Sequence, residues 1–118
     1  KGCNVLLELD WKGAAQVKSA YPSAITIFVL PPSYKELKLR LLERGQDRAG
    51  VIEARLAEAT EEIHQGKNFD FLIVNDIFEN ALADLKTIVL KNKKLSKVRE
   101  AFAHEHLKGL LEEKDNIL

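Results

Sequence analysis

The sequence predicts an α/β protein in which a parallel sheet carries helices on both of its faces. Three observations lead there. Apolar stretches of strand length alternate with stretches of helical periodicity. Two of them, ITIFVL at 25–30 and FLIV at 71–74, are nearly continuous apolar runs, as strands buried on both sides require. Helices stand between them, and parallel strands need such crossovers.

Taken in order, residues 4–9 read as a strand, 11–20 as a short helix and 24–30 as a second strand. Residues 33–65 read as an interrupted pair of helices. Pro31 and Pro32 precede the pair, Ser33 and Glu36 form a capping-box signature at its start, and Gly45 stops the first helix. A third strand is expected at 69–74. The helix over 78–90 follows from apolar Phe78, Ala81, Leu82, Leu85, Ile88 and Val89, and a terminal helix is expected at 95–111. Its stripe of Leu95, Val98, Phe102, Leu107, Leu110 and Leu111 leaves a rival reading open, an assembly role in which it docks on a partner subunit, as in a homodimer, and which can coexist with catalysis. Trp11 and Phe28 are expected in the core, and His64 on a helix surface.

Composition narrows the function. The 118 residues are 46% hydrophobic and 31% charged, with six Gly and three Pro, which fits one domain or part of a larger one. The apolar run at 24–32 is too short to span a bilayer, and no basic-then-apolar signal precedes it, so the chain reads as cytoplasmic. Eighteen Lys plus Arg balance eighteen Asp plus Glu, so there is no general attraction for nucleic acid or an anionic membrane, and any anion site must be local. The run of Lys91, Lys93, Lys94, Lys97 and Arg99 reads as a solvated helix surface. Cys3 is the single cysteine and has no metal-ligand spacing with His64, His104 or His106, so it reads as a small packed thiol.

Chemistry concentrates at 33–55. Arg40 and Arg44 lie four apart and share one helix face, while Arg55 falls in the middle of the stripe formed by Val51, Ile52, Leu56, Ala59 and Ile63. Guanidinium forks suit bidentate contact with phosphate oxygens, and two helices joined by a Gly-bearing hinge suit a flap closing on phosphate. Arg40 and Arg44 alone also fit a solvated edge paired with Glu36 and Glu43.

A second cluster comes from NVLLELD, where a strand would put Glu8 and Asp10 on one face at its carboxyl end. They could accept from a donor-rich ligand or from magnesium-bound water, or brace backbone amides or Lys12. Asn75 and Asp76 follow the third strand at the same sheet edge, where open α/β sheets bind ligands. Asp76 is expected to cap the next helix, and Asn75 could offer its amide to a base or ribose.

Together VLLELDWKGAAQV, IFVLPPSYKELKLRLLERGQD, IEARLAEATEEI and FDFLIVNDIFENALADLKTIV resemble the carboxyl-terminal portion of bacterial guanylate kinases, from about Gly2 to Lys91. The resemblance implies a P-loop nucleoside monophosphate kinase fold, with residues 1–92 in the kinase domain, a lid at about 44–56 and a terminal helix within 93–118. It implies transfer of the γ-phosphoryl group of ATP to GMP, with magnesium. By the same resemblance Asp10 accepts hydrogen bonds from guanine, and Glu8 lies near magnesium through water. Arg44 and Arg55 fold over the ATP phosphates, Arg40 stands at the lid root, and Asn75 lies beside adenine.

The G-x-x-x-x-G-K-[ST] motif of that family does not occur in these residues, so the 118 residues alone are expected to be inactive. Arg48, Ala49 and Gly50 depart from the usual lid residues, and Ile77 replaces a second Asp. A guanylate-kinase-like module binding phosphopeptides without catalysis is the alternative, and the retained arginines weigh against it. In this family the phosphate-loop strand lies between the strands matching 4–9 and 24–30. These two are therefore expected to pair with each other, to pair across a dimer, or to flank the rest of a longer chain.

Overall fold

In the computed structural model, which describes residues 5–44, 49–91 and 93–117, two strands pair in parallel: β1 (Ile27–Leu30) and β2 (Phe71–Val74), in the register Ile27 to Phe71 through Leu30 to Val74. Backbone bonds extend the ladder at both ends, from Phe71 N–H to Thr26 O at 3.0 Å and from Asn75 N–H to Leu30 O at 2.9 Å. Helix α1 (Trp11–Ala20) precedes β1. The crossover between the strands is made by α2 (Tyr34–Arg44), α3 (Ala49–Gln65) and a 3₁₀ turn at Gly66–Asn68. Helices α4 (Phe78–Val89) and α5 (Lys97–Ile117) complete the chain, and among the described residues no helix is long and apolar enough to cross a membrane.

Alternation along β2 sends its side chains into two cores, as the two-residue period of a strand requires. Leu72 and Val74 join Leu30, Tyr34, Leu56, Ile63, Ala103, Leu107 and Leu110 on the side covered by α2, α3 and α5. Ile73 joins Ala81, Ile88 and Leu95 on the side of α4, with Ile27 and Phe71 packed against them. Helices on both faces of a parallel pair fulfil the predicted class. Phe28 lies on the first side, its ring 5.2 Å from that of Phe69 and so near Gly66 that a Cβ there would come within 3.0 Å of it. A side chain at Gly66 would therefore be accommodated only if the Phe28 ring shifted.

Several expectations are corrected. Residues 5–10 form no strand, and no pairing joins them to β1. Their apolar side chains stay open, with Leu6 87% exposed, because a strand is stable only beside a ladder partner. Both formed strands are shorter at their starts than predicted. Trp11 is half-buried and α1 buries none of its residues completely, so Trp11 is not core.

The terminal helix spends its stripe inside this chain: Leu95, Ala103, Leu107 and Leu110 are buried in the two cores, while Val98 points to solvent. The predicted partner-docking stripe is thus already covered by the chain itself. Arg99 is not merely solvated. Its guanidinium grips Asp84 of α4, with Nη2 2.8 Å from Oδ2 and Nε 3.2 Å from the same oxygen, and lies 4.8 Å over the Phe102 ring. That bidentate contact supplies the partner that the buried Asp84 needs, and it raises the Arg99 pKa above its ordinary value. Cys3, Asn4, Gly45 and Arg48 lie outside the described residues.

Candidate active site

The candidate site is built outward from the carboxyl end of β1. Leu30 is fully buried, and the chain leaves it through Pro31, Pro32 and Ser33 directly into α2. Ser33 Oγ accepts from Glu36 N–H at 2.9 Å, which is the predicted N-terminal cap. Tyr34 is buried at the root, and its hydroxyl bonds Thr60 Oγ1 of α3, which in turn donates to Leu56 O at 2.8 Å. The two helices of the flap are therefore joined near their base by a buried polar link as well as by apolar packing.

On this hairpin, Arg40 is exposed and lies 3.6 Å from Glu36 in an i,i+4 pair, open enough to be surrendered to a ligand. Arg44 is the last residue of α2. Arg55 corrects the sequence reading: it is exposed on α3, not sunk in the middle of the apolar stripe. The buried line of α3 is Ile52, Leu56, Thr60 and Ile63, and Val51 lies outside it. Thr60, absent from the predicted stripe, is buried within it.

Asn75 sits half-buried one residue past β2, its backbone bonded to Leu30, so its side chain belongs to the carboxyl edge of the sheet. Asp76 does not cap α4. Ile77 occupies that position without a side-chain bond, and the Asp76 carboxylate accepts instead from Ile77 N–H at 2.7 Å.

Glu8 and Asp10 do not share a strand face, since no strand forms there. Asp10 is the N-cap of α1, its carboxylate accepting from Gly13 N–H at 2.8 Å. This leaves its second oxygen for another donor. Next to it Trp11 N–H donates to Glu62 Oε2 of α3 at 3.2 Å. Partial burial holds the Glu62 carboxyl above the usual carboxylate range, against the lowering effect of the Trp11 bond and with help from the nearby charge of Asp10. Glu62 was missed by the sequence reading because it lies among other acids in TEEIHQ, with nothing in the pattern to distinguish it.

At the opposite edge, Asp70 accepts from Lys18 Nζ at 2.9 Å, from Thr26 N–H at 2.9 Å and from the Thr26 hydroxyl at 3.2 Å. Burial pushes its carboxyl up, but the bonds from Thr26 and Lys18 outweigh burial and hold it below its ordinary value. This brace ties α1 to the starts of both strands.

No group of three or more His, Cys, Asp or Glu that could hold a metal ion occurs among the described residues. Glu8 offers one exposed carboxylate. That donor set fits a magnesium ion held chiefly by substrate phosphates and water, and does not fit an all-protein cage.

Comparison with known proteins places the sequence in a family. The family model described as Guanylate kinase matches residues 1–92. A guanylate kinase of Shewanella denitrificans is 51% identical over 92 residues, covering 78% of this chain and 44% of its own length. Those of Alkalilimnicola ehrlichii and Shewanella violacea are 43% and 47% identical over 111 residues, covering 94% and 93% of this chain and 55% and 53% of their own lengths. The chain thus spans about half the length of the curated relatives it matches. By that match across both strands and the helical hairpin between them, the chain belongs to the guanylate kinase family.

Proposed function

We propose that this chain is the flap- and base-bearing part of an enzyme that transfers the γ-phosphoryl group of ATP to GMP, giving ADP and GDP. The observation that carries this reading is the α2–α3 hairpin. In a chain matching that family, it leaves the carboxyl end of β1 and bears Arg40, Arg44 and Arg55. An oxygen of the GMP phosphate attacks the γ-phosphorus, the bond between that phosphorus and the β–γ bridging oxygen breaks, and its electron pair leaves with ADP. Arg44 and Arg55 neutralise charge on the transferring group, with Arg40 at the root of the flap.

Asp10 accepts guanine N–H groups with the oxygen not used by Gly13, and Asn75 turns its amide to adenine. Glu8 would hold magnesium through water, and the ion supplies charge neutralisation between the phosphates. Residues 1–92 act as kinase domain with the lid at about 44–56, residues 93–118 carry the terminal helix, and the enzyme works in the cytoplasm.

The test is product analysis with ATP and each of GMP, AMP, CMP and UMP. The full-length enzyme is expected to form GDP from GMP and to leave the other three nearly untouched. The 118 residues alone are expected to form none, since the phosphate-loop motif whose backbone would cradle the β- and γ-phosphates does not occur in this sequence. A full-length protein that leaves GMP unchanged would refute the reading.

A further inference from the structure

Helix α5 begins after the last residue of the family match, yet it makes polar contacts with the root of the flap. Glu113 reaches back 79 residues to the start of α2, where its Oε1 accepts from Tyr34 N–H at 2.8 Å. Its Oε2 accepts from Lys35 N–H at 3.2 Å. With Ser33 Oγ on Glu36 N–H, the first three amides of α2 all have acceptors. These groups lack intrahelical partners, and a carboxylate there also meets the positive end of the helix dipole. Two turns earlier on α5, His106 Nε2 lies 2.8 Å from Pro31 O. A carbonyl only accepts, so that nitrogen carries the proton and donates. The His106 ring also rests on Phe102, which lies under Arg99, itself fixed to Asp84 of α4. The face of α5 that carries these residues therefore runs from α4 to the Pro31–Lys35 turn.

We propose that Glu113 and His106 are positioning residues for phosphoryl transfer. By clamping residues 31–35 to α5, they fix the root about which the arginine-bearing hairpin closes on the nucleoside triphosphate. This rests on the kinase reading above. Neither residue touches the reacting atoms; they act through the direction of α2. A mobile flap with a loose root would spread its arginines over many orientations, and only some of these meet the phosphates.

The experiment compares wild type, Glu113→Ala, Glu113→Gln and His106→Phe in the full-length enzyme. It measures kcat, KM for ATP and KM for GMP, and amide exchange at Tyr34 and Lys35. Glu113→Ala is expected to raise KM for ATP about three- to tenfold, the effect of losing a backbone hydrogen bond, with kcat lowered and KM for GMP unchanged. Exchange at Tyr34 and Lys35 should quicken while Leu72 to Val74 stay protected. Glu113→Gln keeps one acceptor oxygen and should recover part of the loss, and it replaces the alanine variant should that one fail to fold. His106→Phe keeps the ring against Phe102, removes the donor and should shift KM for ATP in the same direction. An active wild type whose variants keep both KM values and lose kcat only in proportion to folded protein would overturn the clamp alone. A wild type inactive on GMP would instead overturn the kinase reading, whatever the exchange data show.

Discussion

Residues 5–9 and strand β2 are apolar stretches of similar length, and they meet opposite fates. Ile73 and Val74 are each 1% exposed, whereas Val5 is 80% and Leu6 87% exposed. The same contrast runs through the helices. Helix α4 buries Ala81 and Ile88 toward β2 but leaves Phe78, Leu82, Leu85 and Val89 open on its other side, while α5 closes the opposite face with Ala103, Leu107 and Leu110. One region is closed around β2 from both faces; the other, from residues 5–10 to the outer side of β1, is not. An apolar run states a demand for burial, and only a neighbouring ladder and a covering layer meet it.

Substitutions can break or sharpen that division. The largest effect is expected on catalysis from the flap that the closed region carries. Arg55→Ala in the full-length enzyme should lower kcat by a factor corresponding to about 2–4 kcal/mol and weaken GMP binding far less, if the guanidinium meets the transferring phosphoryl group as a preorganised donor. Steady-state kinetics decide it, and an unchanged kcat returns Arg55 to the helix surface.

Next comes the seam between α4 and α5 in the closed region. Arg99→Ala leaves the Asp84 carboxylate buried without its bidentate partner, and denaturant unfolding should register a loss of about 1–3 kcal/mol. No measurable loss would mean that water relieves Asp84 and that the two helices are held by apolar packing alone.

In the open region the expectation reverses. Asp10→Asn retains an acceptor for Gly13 N–H, so unfolding should be unchanged, while KM for GMP should rise because an acceptor becomes half donor. Equal KM values would leave Asp10 with the cap as its whole role.

The smallest effect belongs to the joint between the regions. Asp70 has a depressed pKa in the fold, so its bonds to Lys18 and Thr26 stabilise above the unfolded value and are lost as pH falls below about 4. The pair is more than a third exposed, so wild type and Asp70→Asn should differ by only about 0–1 kcal/mol near neutrality and converge in acid. A difference that persists at low pH would assign the effect to packing.

Much of this division was legible in the sequence, and the exceptions have physical causes. The two paired strands, the interrupted hairpin, the Ser33 cap and helices on both faces followed from periodicity and capping chemistry, which are local. Burial on both sides holds for β2 alone, since Val29 of β1 is exposed. The strand at 4–9 had the right pattern and no partner, a non-local condition that no window can contain. The terminal stripe reads as apolar but leaves a partner subunit open as its cover, because sequence shows which face wants cover and not which surface supplies it.

Among polar residues, Arg40, Arg44 and Arg55 stood out by spacing. Glu62, Thr60, Asp84 and Glu113 did not, since each acquires its role from a residue at least fifteen positions away. Asp10 illustrates both cases: its position before a helix was readable as an amide brace, and its part in base recognition came from resemblance alone.

The central claim is that this chain is one part of a guanylate kinase domain whose open side is completed by the rest of the enzyme. Amide exchange at residues 6–9 tests it most directly, measured in the 118 residues alone and in the full-length protein. Exchange should be close to that of unstructured chain in the first and slowed by at least about a hundredfold in the second, as a ladder forms beside the stretch. Protection already present in the 118 residues, or absent from both, would contradict the account.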